Sequence, residues 1–136
     1  MGVLFKNSDI TIYNRYWDFV NDVDMYQRTV IKDVDWQGKR NATVTNNGLL
    51  LADSIIIIVD KLDNYVSPKQ FAKLTDDERV NYFTFAMSDK IVKGDIDFEI
   101  SGVRPYRLAD LESGFDDVVN VMSWRKLSDH FEVEGK

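Results

Sequence analysis

Cysteine is absent from the 136 residues, histidine occurs once and proline twice. Without cysteine there is no disulfide framework and no thiolate metal site, a composition compatible with a reducing cytosol. The single histidine, His130, follows Ser128 and Asp129. Triad partners must converge in space, however, and adjacency in sequence does not supply that geometry; an exposed histidine near the terminus is the plainer reading. Phosphate loop, dinucleotide fingerprint and nucleophile elbow are all missing. The longest apolar run, residues 49–59, is interrupted by Asp53 and Ser54 and is too short to span a bilayer. At the amino terminus Lys6 leads into Asn7, Ser8 and Asp9 rather than an apolar segment, so no signal peptide is expected. Basic residues are the minority, 17 against 23 acids, for a net charge of −6. A general nucleic-acid binder draws affinity from neutralising phosphates and has the opposite balance. These absences point away from an enzyme, a cofactor, a metal and a membrane.

What is present is core material. Apolar residues make up 44% of the chain, and a single domain over 1–136 can bury roughly two-thirds of its unfolded surface. Residues 95–101 alternate strictly, with Ile96, Phe98 and Ile100 set between Asp95, Asp97, Glu99 and Ser101. Side chains leave a pleated strand on opposite faces, so this pattern predicts a strand. Ile91 and Val92 precede it across a Lys93-Gly94-Asp95 turn, which predicts a central hairpin. Further strands are expected at 9–13, 25–34, 82–86, 117–124 and 131–134, from alternation and β-branched or aromatic enrichment. Residues 54–59 hold four consecutive isoleucines and predict a strand buried on both faces, with Ile56 and Ile58 in the core.

Two helix starts lie between the strands. Ser67-Pro68-Lys69-Gln70 offers a capping serine, proline at the first helical position and glutamine three residues after the cap. Thr75-Asp76-Asp77-Glu78 repeats that logic with acids in the first turn, and residues 107–112 can make one more helical turn before Gly114. The fold expected is mainly β: a small closed or nearly closed antiparallel barrel or sandwich with two short helical insertions. Trp17, Trp36 and Trp124 read as core and interface anchors, because base-stacking platforms pair aromatics with a positive groove.

Two polar stretches are candidates for function. Asp95, Asp97 and Glu99 share one strand face; without histidines or a glycine-rich ligand loop, a solvated or channel-facing acidic wall is preferred over a metal site. Residues 39–48 carry the adjacent basic pair Lys39 and Arg40 together with Asn41, Thr43, Asn46 and Asn47, all able to hydrogen-bond phosphate. A long loop between strands is a common place for function.

Several stretches together resemble a family of small proteins encoded in the structural-gene cluster of tailed bacteriophages and prophages, labelled minor capsid or uncharacterised phage proteins. They are D-I-T-I-Y-N-R-Y-W-D (9–18), Y-Q-R-T-V-I-K-D-V-D-W-Q-G-K (26–39), Y-V-S-P-K-Q-F-A-K-L (65–74), F-T-F-A-M-S-D-K-I-V-K-G-D-I-D-F-E-I (83–100) and V-R-P-Y-R (103–107). The D-K-I-V-K-G turn with its following strand is also similar to head–tail joining, or stopper, proteins; Ser88-Asp89 stands where their turn has Gly-Asp. The resemblance implies a virion structural protein of the neck, assembled in the bacterial cytoplasm. Such a β-barrel forms a homo-oligomeric ring, with a hexamer as the working number, between adaptor and portal above and tail terminator below. It lets double-stranded DNA pass without sequence preference and seals the channel after packaging. On that reading Lys39 to Gly48 is the gating loop, and Asp95, Asp97 and Glu99 form the acidic channel face. Another connector role (adaptor or tail terminator) and a small β-barrel protein-interaction module are the alternatives.

Overall fold

A computed structural model describes residues 6–38 and 54–136, together with the backbone of two short strands at 43–45 and 48–50. The elements are β1 (Ser8–Asp18), β2 (Val23–Gly38), β3 (Thr43–Thr45), β4 (Gly48–Leu50), β5 (Ile55–Asp60), α1 (Pro68–Lys73), α2 (Asp76–Arg79), β6 (Lys90–Lys93), α3 (Leu108–Gly114), β7 (Val118–Lys126) and β8 (His130–Gly135). Six strands close an antiparallel barrel in the order β1-β2-β5-β8-β7-β6, while β3 and β4 pair separately. Closure pairs each strand on both sides where the barrel wall is complete, and leaves β1 beyond Tyr13 and β2 before Asp35 paired only with each other.

The longest ladder joins β1 to β2, from Ser8 opposite Val34 to Asp18 opposite Val23. It replaces the 91–100 hairpin expected at the centre. A bulge interrupts it where Asp33 takes a positive φ of 59° and donates its N–H to Asp9 Oδ1 at 3.0 Å; aspartate tolerates the left-handed region and supplies the local hydrogen bond. β2 consequently runs past Asp33 and Asp35 to Gly38, further than the 25–34 read from composition. On its other side β1 pairs with β6 only from Ile10 to Tyr13. Beyond Tyr13 the β1–β2 ribbon continues to a loop whose Asp18 carboxylate accepts the N–H groups of Val20 and Asn21. Asn14 and Arg15, beyond the 9–13 expected from sequence, are therefore strand residues.

Two apolar clusters hold the domain. Inside the barrel are Ile10, Ile12, Ile31, Val34, Ile57, Val59, Phe83, Phe85, Ile91, Val121, Phe131 and Val133, with Trp36 and Trp124 packed partly buried against them. Ile57 and Val59 point inward, whereas Ile56 and Ile58 are only half-buried. The four-isoleucine strand is thus buried on one face, because a barrel strand has one inside. Outside the wall, Tyr13, Val92, Ile100 and Leu111 form a second cluster with Ile96, Phe98, Leu108 and Phe115. Residues 95–115 fold over the barrel to make it.

Neither 95–101 nor 82–86 is a strand. Both segments are extended, and the alternation of 95–100 correctly separates exposed Asp95, Asp97 and Glu99 from the apolar side. Phe83 makes a single parallel bridge to Tyr65, donating to Asn64 O and accepting from Val66 N at 3.0 Å each, while several neighbouring backbone groups are met by side chains. Thr11 Oγ1 donates to Gly94 O at 2.8 Å and accepts from Ile96 N, Arg28 Nε donates to Ile96 O, and Tyr13 Oη donates to Phe98 O at 2.6 Å. Asn14 does the same for Thr84, donating to its carbonyl at 2.6 Å and accepting its N–H at 3.2 Å. A buried backbone group needs a partner, and a side chain serves as well as a ladder.

Ser67 and Thr75 both cap as read, each in a full capping box, with Gln70 and Glu78 at the third helical positions. At the closing seam a Cβ on Gly135 would lie 2.6 Å from Val119 Cγ2 and 3.2 Å from Asn120 O. Gly135→Ala is therefore expected to cost about 2 kcal/mol by overpacking, lowering the melting temperature by roughly 5–10 °C. An unchanged melting temperature by circular dichroism would show that the β7–β8 seam yields freely.

Candidate interaction groove

The β1–β2 arm and the α1–α2 excursion enclose a groove of about 570 Å³. Trp17 and Phe19 come from the arm, Phe71 and Leu74 from α1 and its cap, and Ala86 from the segment that leads into β6. The two capping boxes fix where these short helices turn. Arg79, at the end of α2, is buried and ties the halves together: its guanidinium carbon lies 3.5 Å from the centre of the Tyr16 ring, and Nη2 lies 2.7 Å from Asp76 Oδ1. Gln27 on β2 donates to the carbonyls of Arg79 and Tyr82 at 2.9 and 2.8 Å, locking the excursion to the arm.

Behind the groove sits Asp89, 2% exposed. It accepts Asn14 Nδ2 at 2.7 Å, Arg15 N at 3.0 Å and Ala86 N at 3.2 Å. Burial outweighs these donors and pushes its carboxyl up to about 6. The residue holds β1, residues 84–86 and the start of β6 in one place. Sequence reading passed over it because a single aspartate in a turn is usually exposed.

The groove is open and its outer lip is apolar. Phe19 and Val20 are 86% and 89% exposed, and Trp17 and Val23 nearly half. Carboxylates crowd the same end, with Asp18, Asp22 and Asp24 on the arm and Asp76, Asp77 and Glu78 opening α2.

Residues 5–136 match the model of DUF6751, a family of unknown function. The chain belongs to this family. No curated protein and no solved structure matches it. The residues singled out from sequence take the following places in this DUF6751 fold. Asp95 is paired, 2.7 Å from Lys32 Nζ and 3.5 Å from Arg28 Nη2, and the Lys32 hydrogen bond lowers its carboxyl below the usual range. Asp97 and Glu99 are exposed on the same side of the segment. Among the described residues no group of three or more acids and histidines could hold a metal ion. Of the loop candidates, Lys39, Arg40, Asn41, Asn46 and Asn47 lie outside the described residues, and Thr43 is described only as the first residue of β3. His130 faces carboxylates with both ring nitrogens, Asp129 at 2.6 Å and Glu132 at 3.4 Å, which raises its pKa.

Proposed function

We propose that this protein is a structural subunit of a tailed-phage neck, forming a ring at the head–tail connector that continues and seals the DNA channel. The observation that carries the reading is the arm: a two-stranded ribbon ending in exposed Phe19 and Val20 beside an open apolar groove. Large apolar groups clustered in water mark a surface made for a protein contact. Repeated copies of one subunit supply such a contact in a closed ring, where every lip and groove finds its counterpart. The likeness of 9–18, 26–39, 65–74, 83–100 and 103–107 to phage minor capsid proteins, and of the 89–94 turn, its following segment and Val103-Arg104-Pro105 to stopper proteins, supports placing that ring in the neck.

In the ring, a chain of net charge −6 presents DNA with a wall that offers few phosphate contacts, so the duplex slides. Asp97 and Glu99 supply free carboxylates to that wall, while Asp95 is neutralised by Lys32 and Arg28. Residues 39–48, read from sequence as a loop, include β3 and the first residue of its antiparallel partner β4; with Lys39 and Arg40 they act as the retaining segment. The adaptor sits above and the tail terminator below, and no catalytic step is involved.

The test is a phage in which translation of this gene is stopped. Heads are expected to fill, then lose DNA and fail to take tails, and gold-labelled antibody is expected to mark the neck of wild-type virions. Stable full heads with abnormal tails would move the role to tail terminator. Infectious virions lacking the protein would overturn the neck reading.

A further inference from the structure

We infer that the groove receives the 101–107 loop of a second copy of this chain, so that the ring contact is head-to-tail. This rests on the ring reading above and names the contact within it. The loop is a closed knob: Ser101 and Gly102 donate their N–H groups to Tyr106 O at 2.8 and 3.2 Å, and Tyr106 N donates to Val103 O at 2.7 Å. Fixing it in advance removes the entropy loss that a floppy loop would suffer on docking. It presents Val103, 69% exposed, and Tyr106, 49% exposed, whose ring is steadied 5.6 Å from Phe98.

Charge selects this occupant. Arg104 is exposed between Val103 and Pro105, whereas Arg107 is committed to Asp110 through a pair of bonds at 3.0 and 3.2 Å. The groove lining itself balances, with Arg79 paired to Asp76 and stacked on Tyr16 and Arg15 set against Asp24. The acidic surplus of the rim comes from Asp18 and Asp22 on the arm and Asp77 and Glu78 in the first turn of α2. An apolar knob carrying a cation thus meets an apolar groove with an acidic rim. The match works against the general repulsion between copies that each carry −6. Knob and groove are different patches, which makes the contact heterologous and allows a ring to close.

A chain without cysteine gives a clean background for mapping. The full-length Phe19→Cys/Val103→Cys variant is treated with a short bis-maleimide at physiological ionic strength, where the screening length is about 8 Å. A ladder of covalent multimers is expected, while each single variant stays monomeric on a denaturing gel. Adding Arg104→Glu should cut the ladder about tenfold, and adding Asp24→Lys to that should restore it. All substituted positions are exposed, so folding is not at stake. Dimers from Phe19→Cys alone would mean a self-matching arm contact and overturn the proposal. So would a ladder indifferent to Arg104→Glu. Electron microscopy of the untreated protein separates the two readings. Rings without the ladder sink this contact and leave the ring standing; absence of both, in the protein alone and on purified heads, sinks the two together.

Discussion

Replacing Asp89 by alanine is expected to destabilise the domain by about 4 kcal/mol, measured by urea denaturation. The substitution strands Arg15 N and Ala86 N without a partner and leaves the Asn14 amide half-satisfied. Each such buried group costs about 1–3 kcal/mol, a large share of the 5–15 kcal/mol typical of a domain. Asparagine is expected to recover only part of the loss. Donors converge on both Asp89 oxygens, so either orientation of the new amide sets its NH2 against another donor. The pH dependence has a definite sign. Because the folded carboxyl titrates at about 6 against 3.8 for the unfolded group, its stabilising contribution is full below pH 3.8 and is lost as pH rises through 6. A shift of about two units amounts to roughly 3 kcal/mol. The stability of wild type relative to Asp89→Asn should therefore fall between pH 4 and 7. A flat difference would mean that the three donors hold Asp89 ionised throughout.

Phe85→Ala is expected to cost about 4 kcal/mol, the usual range for a large aromatic in a filled core. Phe85 is fully buried, 5.7 Å from the Tyr65 ring and 5.6 Å from those of Phe83 and Phe131. Residues 82–86 do not join the barrel sheet, and they are held by the two buried phenylalanines, the Phe83–Tyr65 bridge, the Asn14 clamp on Thr84 and the Ala86–Asp89 bond. The loss should carry over to the groove, whose floor includes Thr84 and Ala86. Met122→Ala, at a half-exposed site on β7, is the control and should change stability by no more than about 0.5 kcal/mol. Equal effects at the two positions would mean that the aromatic cluster contributes little.

Local patterns determined a good deal of this protein. Enrichment in β-branched and aromatic residues placed β5, β7 and β8 within a few positions, and the run of short strands was enough for an antiparallel barrel or sandwich, of which the structure is the closed barrel. Ser67-Pro68 and Thr75-Asp76 located the starts of α1 and α2, since a capping box is written in four consecutive residues. Alternation also sorted Ile96, Phe98 and Ile100 from the acids between them.

Partnership was decided only in three dimensions. Alternation reports extended backbone with two faces; whether that backbone joins a ladder depends on what lies beside it. At Gly94, Ile96, Phe98 and Thr84 the backbone meets the side chains of Thr11, Arg28, Tyr13 and Asn14, which take hydrogen bonds a neighbouring strand would have taken. The same holds for the four isoleucines, where barrel closure, not composition, chose Ile57 over Ile56 and Ile58. The groove and Asp89 were invisible for a related reason. Thr84 and Asp89 lie 70 and 75 positions from Asn14, and no local pattern encodes a contact whose partners are that far apart along the chain.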